Sequence, residues 1–207
     1  SLPVTIVGNT NASKNTLDLT ALDLPGITVR PILFAGINEI KGTSGNDIYE
    51  FDDNWGDLVI VDNGGTDSLD LSKISKDLLI TFKTDGSLLI TEGGNSLTIA
   101  TAGNVETITG GSGDNTIVFE AGATYSGNIN AGIGSNHLDL SAYTKPVNTN
   151  LETGKIQYNN GSSWVDIVAG TIENINSVET TGADDGDLIG RTGVGGNDTF
   201  SGGLGND

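Results

Sequence analysis

Apolar residues along this 207-residue chain recur at every second position in short runs, and a turn signal closes each run. Leu78-Leu79-Ile80-Thr81-Phe82, Ser87-Leu88-Leu89-Ile90-Thr91 and Ser96-Leu97-Thr98-Ile99 are β-rich segments separated by Asp85-Gly86 and Gly93-Gly94-Asn95, the pattern of a meander. A second hairpin is predicted from Lys155-Ile156-Gln157-Tyr158 and Ser163-Trp164-Val165-Asp166-Ile167 around Asn159-Asn160-Gly161. No window longer than about ten residues holds apolar side chains at helical spacing between a start and a stop signal, so almost no helix is expected.

The pattern also repeats on a longer scale. Leu17-Asp18-Leu19-Thr20, Leu69-Asp70-Leu71-Ser72 and Leu138-Asp139-Leu140-Ser141 share one form. Asn38-Glu39-Ile40, Val105-Glu106-Thr107-Ile108 and Val178-Glu179-Thr180-Thr181 share another, each followed by a glycine-rich turn. A unit of about seventy residues therefore recurs, as in a repeat architecture. The Leu-Asp-Leu segments read as strands with two inward leucines around a solvated aspartate. The chain divides into N-terminal strands (1–41), a first repeat block (42–76), the meander (77–104), an asparagine-rich block (105–142), a hairpin insertion (143–173) and a C-terminal block (174–207). The insertions are expected to leave the stack on one side.

The turns carry the candidate chemistry. Gly42-Thr43-Ser44-Gly45-Asn46-Asp47 and Gly202-Gly203-Leu204-Gly205-Asn206-Asp207 place aspartate sixth in a glycine-rich turn. Glycine lets the backbone bend tightly and turn carbonyl oxygens inward, and the carboxylate completes an oxygen-only site suited to Ca²⁺. Asp47, Asp57 and Asp67 fall ten residues apart, each followed two places later by a large apolar residue (Tyr49, Val59, Leu69) expected to point inward. Successive turns then lie on opposite edges, so turns 42–47 and 62–67, the latter with Asp62 and Gly64, stack on the same edge. Asp52, Asp53 and Asp62 add acids that would repel one another without a cation. The C-terminal turns supply Asp185, Asp187, Gly193 and Asp198, with Ile189 and Phe200 in the inward place. In the middle block, Gly110-Gly111-Ser112-Gly113-Asp114-Asn115 and Ala131-Gly132-Ile133-Gly134-Ser135-Asn136 put asparagine sixth. Gly110, Ser112, Asp114 and Asn115 are candidate ligands there, but a neutral asparagine implies weaker metal binding or none.

Composition narrows the partners. Twenty-seven acids against 9 bases give a formal charge of -18, which excludes nucleic acid and anionic membranes and favours cations. Without cysteine and with a single histidine, zinc and disulfides are excluded, as a secreted protein stabilised by Ca²⁺ would allow. Thirty-one glycines and 5% aromatic residues point to a turn-dense array with a thin core. No apolar run approaches a membrane span. Asp52-Asp53 and Asp184-Asp185 are read as ligands or solvated charge and not as a catalytic carboxylate pair. His137 has no nucleophile or second ligand to work with and reads as an exposed strand residue, and Trp55 and Trp164 read as partly buried packing residues ahead of the alternative, stacking on sugars or a partner.

These turns resemble the repeats-in-toxin (RTX) family of bacterial secreted proteins, most closely at 42–49 and 193–207, while Asp62-Asn63-Gly64-Gly65-Thr66-Asp67-Ser68-Leu69-Asp70-Leu71-Ser72 is similar to a common terminal segment of such arrays. The resemblance implies an all-β fold, a parallel β-roll or right-handed β-helix with Ca²⁺ between stacked turns. It further implies that Asp47, Asp67, Asp187, Asp198 and Asp207 supply carboxylates and that Gly42, Gly45, Gly202 and Gly205 sit in carbonyl-donating turns. The function expected is non-catalytic: a calcium-binding module of a large secreted bacterial surface protein, of adhesin, surface-layer or matrix type. The rival is an accessory folding and export domain of a secreted enzyme or toxin. The sequence stops inside a repeat, as a fragment of a longer chain would. Self-association or contact with another surface protein is expected through the edge of the 155–167 hairpin.

Overall fold

The computed structural model describes residues 16–20, 28–29, 37–53, 55–180, 187–192 and 198–202. Among them the protein is all-β, with one 3-10 turn at Ala102–Asn104 and no α-helix. Three sheets carry the strands. The first runs β1 (Thr16–Asp18), β3 (Glu39–Lys41), β5 (Asp57–Val61), β9 (Asn95–Ile99), β8 (Leu88–Glu92), β7 (Leu79–Phe82), β11 (Thr116–Phe119), β13 (His137–Leu140), β18 (Ser177–Thr180), β20 (Thr199–Ser201). The second runs β17 (Ile172–Glu173), β12 (Asn128–Asn130), β10 (Thr107–Thr109), β6 (Ser68–Lys73), β4 (Ile48–Asp52), β2 (Thr28–Val29). The third holds β16 (Trp164–Val168), β15 (Lys155–Asn159), β14 (Val147–Asn150) and β19 (Leu188–Ile189).

From β3 to β6 the chain alternates between the first two sheets, so every second strand becomes a parallel neighbour: β3 beside β5, β4 beside β6. Strict alternation of side chains sends one face of each strand into the space between the sheets. Two apolar ladders result. Ile40, Ile60 and Ile99 stand in register in the first sheet, as do Ile80, Ile117, Leu138 and Val178. Opposite them, Tyr49, Leu69, Ile108, Ile129 and Ile172 follow one another in the second sheet, all buried. Phe82 stacks on Phe119 with ring centroids 4.4 Å apart. The Leu-Asp-Leu segments behave as their pattern implies: Leu69, Leu71, Leu138 and Leu140 are buried, while Asp70 and Asp139 accept hydrogen bonds from the Ser72 and Ser141 amides.

The structure corrects four expectations. The meander does not leave the stack; β7, β8 and β9 lie inside the ten-stranded sheet, with Ile80, Phe82, Leu88, Ile90, Leu97 and Ile99 all buried. Three antiparallel strands restore the original chain direction, so both outer strands match parallel neighbours, β9 with β5 and β7 with β11. The 155–167 hairpin is likewise core structure: Ile156, Ile167 and Val168 are fully buried and the Tyr125 amide donates to the Ile167 carbonyl. Val59 does not point inward, because Gly56 takes a positive φ and the chain enters β5 at Asp57 itself. Asp57, Val59 and Val61 then share the outer face while Leu58 and Ile60 fill the core. Ile189 is exposed for the same period-two reason, with Leu188 on the partly covered face of β19, whereas Phe200 packs against the core as expected.

Candidate metal centre

Turn 42–47 joins β3 to β4, turn 62–67 joins β5 to β6, and parallel pairing on both sides lays one directly on the other. The Asp47 amide donates to Asp67 Oδ1 at 2.6 Å and the Thr66 amide to Asn46 Oδ1 at 3.0 Å. Gly65, at φ +146°, rests on the Gly45 carbonyl, so closely that no Cβ would fit. The ladder continues one coil further, where the Asp67 amide donates to Glu106 Oε2 at 2.6 Å.

This stacking gathers three carboxylates. Asp47, Asp62 and Asp67 each place an oxygen within 4.8 Å of the others, and their side chains are buried, Asp47 and Asp67 at 1% exposure. Thr43 holds Asp47 through its amide (2.7 Å) and hydroxyl (2.8 Å). Asp62 accepts the Tyr49 hydroxyl on Oδ2 at 2.5 Å and the Gly64 amide on Oδ1 at 2.8 Å. Asp67 Oδ2 is enclosed without any hydrogen-bond partner. Burial pushes the Asp67 carboxyl up to about 7 against the opposing hydrogen bond from the Asp47 amide, and the charge of Asp62, the hydrogen bond that a protonated Asp67 makes with Asp62, and the charge of Asp47 add to the rise. The Tyr49 phenol is pushed far above its ordinary range, first by burial and then by its bond to Asp62.

The arrangement fits a hard divalent cation. Oxygens bound to one Ca²⁺ at 2.3–2.6 Å lie at most about 5 Å apart, a spread the triad already meets. Gly42 leaves the necessary room, since a Cβ there would stand 2.7 Å from Asp62 Oδ2 and 2.9 Å from Asp47 Oδ2, and would overlap the Tyr49 hydroxyl. A buried carboxylate oxygen without a donor costs free energy that a cation removes. Asp47, Asp62 and Asp67 would hold the ion, with Tyr49 and Thr43 fixing two of them. Calcium would supply charge neutralisation that locks the two turns together.

With the ion absent, the raised Asp67 value ties stability to pH. An aspartate titrating near 3.8 when unfolded and near 7 when folded gains a proton on folding between those values. Stability of the ion-free protein should therefore increase as pH falls from about 7 towards 4, and stay level above 7. Thermal melts in chelator at pH 8, 6.5 and 5 check this, and saturating Ca²⁺ should abolish the rise.

The remaining candidates are dispersed. Ser44 and Asp52 are exposed on turn 42–47 and at the end of β4, and Asp57 is exposed with Oδ1 accepting the Ser96 hydroxyl. Gly45 and Gly64 belong to the stacked turns themselves. Asp187 is exposed, its amide donating to Asn148 Oδ1. Asp198 is engaged by Arg191, whose guanidinium reaches Oδ1 at 2.6 Å while the Arg191 amide donates to Oδ2 at 2.5 Å. A fixed positive charge thus stands beside that carboxylate. Gly202 is partly buried after β20, and Asp185, Gly193, Leu204, Gly205 and Asp207 lie outside the described residues.

The middle block sits on the opposite edge and solves the same stacking problem with amides. Asn115 donates from Nδ2 to the Gly111 and Ala131 carbonyls at 3.2 and 2.8 Å, and accepts the Leu78 amide on Oδ1. Asn136 repeats this with the Gly132 and Asn174 carbonyls and the Asn115 amide. Where Asp47 faces the N–H four residues back, Asn115 faces the C=O four residues back, so the amide nitrogen sits among the carbonyls that a cation would otherwise join. Gly110 packs on the Ala131 carbonyl, Ser112 bonds the Ile74 carbonyl, and exposed Asp114 accepts the Ser135 amide. Asn136→Ala should leave buried partners unsatisfied at about 1–3 kcal/mol without changing calcium stoichiometry. Denaturant melts and titration calorimetry on that variant read both.

Sequence reasoning missed Glu106, Thr43 and the Tyr49 hydroxyl. Glu106 stands two places before inward Ile108 as Asp67 stands two before Leu69, a signal that a search for aspartate alone passes over. Trp55 is buried edge-on to Phe51, whereas Trp164 is 40% exposed and not a packing residue. His137 is a strand residue but partly buried and not exposed, because β18 packs beside it and Nδ1 meets the Ser177 hydroxyl at 2.8 Å. Comparison with protein families, with characterised proteins and with solved structures gives no match.

Proposed function

We propose that the protein is a non-catalytic calcium-binding module, built as a parallel β-roll in which each coil crosses two sheets and the turns on one edge clasp Ca²⁺. The observation that carries this reading is the buried Asp47–Asp62–Asp67 triad with Asp67 Oδ2 left unpartnered inside it. Placement in a large secreted bacterial surface protein rests on the resemblance of the glycine-aspartate turns and on the acidic, cysteine-free composition. Outside the cell, millimolar calcium would close the first block after export.

The test is calcium titration of the metal-stripped chain, followed by calorimetry and melting. A single site saturated at a hundred times its Kd stabilises by about 2.7 kcal/mol, which is a large share of a typical domain's net stability. Binding with a higher melting temperature is the expected result. No heat of binding and an unchanged melt in chelator and in millimolar Ca²⁺ would end the proposal.

A further inference from the structure

We infer that the outer face of the β14–β15–β16 sheet, continued by β19, binds a neutral carbohydrate chain. Strand register puts its side chains in three cross-strand rows, since Asn148 faces Gln157 and Gln157 faces Asp166, Asn150 faces Lys155, and Asn159 faces Trp164. Alternation sends Val147, Thr149 and Ile156 into the core and leaves amides, one ammonium and carboxylates outside. Across four strands the strip is about 14 Å wide at the usual spacing, which suits an extended ligand.

The β14–β15–β19 part of the face is concave, and part of its hydrogen-bonding capacity is unused. A cavity of about 160 Å³ opens between β14, β15 and β19, lined by Asn148, Asn150, Lys155, Gln157, Asp187 and Ile189. Asn148 and Asn150 use their carbonyl oxygens to accept the Asp187 and Thr153 amides. Among the described residues their amide nitrogens make no hydrogen bond, and neither does the Asp187 carboxylate. Gln157 donates to Asp166, which leaves its Oε1 open. Free donors and free acceptors therefore alternate within one shallow site.

A hydroxyl is donor and acceptor at once, and a sugar presents several on each ring, so alternating amides and carboxylates match it. The ring's C–H face needs an apolar plane. Exposed Trp164 supplies one on the same face as Asp166 and Asn159, and Ile189, 43% exposed, supplies a second at the far side. Charge selects a neutral ligand. The chain carries -18 overall, and Lys155 is 3.5 Å from Asp166, so an anionic polymer meets repulsion without a free cation to hold it.

The experiment is a titration of the ¹⁵N-labelled, calcium-loaded chain with cellohexaose, xylohexaose, mannohexaose and maltohexaose, and with hexagalacturonate as the anionic counterpart. At least one neutral oligosaccharide should shift the side-chain amide signals of Asn148, Asn150 and Gln157 and the Trp164 indole signal. Trp164→Ala and Gln157→Ala should each weaken that binding tenfold or more, while circular dichroism and calcium affinity stay unchanged. Silence from all four neutral sugars, or tighter binding of hexagalacturonate, would overturn the assignment. Shifts that depend on protein concentration and not on sugar would assign the face to a second copy and overturn it equally. Calcium binding is read separately in the same samples, so failure here leaves the metal proposal standing.

Discussion

Asp67→Asn should make the ion-free protein more stable and at the same time remove its response to calcium. The two effects have opposite signs, and that opposition identifies a metal site. In the native turn Asp67 Oδ1 accepts the Asp47 amide, while Oδ2 is enclosed beside two further carboxylates with no donor. An asparagine keeps the acceptor and replaces the orphan oxygen with an NH₂ group facing Asp62 and Asp47, as Asn115 and Asn136 already do towards carbonyls on the opposite edge. Removing an unsatisfied buried group and a like charge should stabilise the apo protein by about 1–3 kcal/mol. Calcium affinity should fall by about a hundredfold, the upper end of what even supporting residues around a metal contribute. Urea melts with and without Ca²⁺, with calorimetry, read both numbers. Loss of stability in chelator would mean that the carboxylate serves the turn alone.

Deleting residues 156–167 should abolish folding, and Ile167→Ala should cost about 2–5 kcal/mol, the range for truncating a fully buried isoleucine. The hairpin joins the third sheet to the rest of the protein. Ile156, Ile167 and Val168 have no solvent exposure, β15 is the antiparallel partner of both β14 and β16, and Tyr125 bridges to Val168 with backbone bonds on either side. Trp164→Ala, on the exposed face of the same strand, should stay within about 0.5 kcal/mol, as surface substitutions do. Circular dichroism and urea titration of the three variants separate these outcomes. A deletion variant that kept its cooperative melt would return the hairpin to the status of an appendage.

Much of the fold was legible because β-structure writes its period into the sequence. The alternation in β7, β8 and β9 marked three strands and a meander, and the absence of any 3.6-residue period matches the lack of α-helix among the described residues. Stacking of turn 42–47 on turn 62–67 also followed from spacing, because two strands and two turns of similar length return the chain to the same edge. Spacing failed where the connection between two strands was shorter, residues 53–56 against the longer turns 42–47 and 62–67. Asp57 matches the motif, yet after Gly56 the strand starts at Asp57 itself, which leaves Asp57 exposed and Val59 half-buried on the outer face.

By itself, then, the sequence determined the strand-rich character, the acidic oxygen chemistry of the turns, and the difference between aspartate and asparagine blocks. Those properties are local: they depend on side-chain period, on glycine's conformational range and on which donors a residue carries. Only the tertiary structure decided which carboxylates meet. Asp62 joins Asp47 and Asp67 through parallel strand register, while Asp57 and Asp114 stay at the surface and Asp198 faces Arg191. It also decided that the meander and the hairpin belong to the core, because an odd number of antiparallel strands can enter a sheet without reversing it. Register and direction are relations between distant segments, fixed by the apolar ladders of Ile40, Ile60 and Ile99 and of Tyr49, Leu69 and Ile108, and no single stretch of chain encodes them.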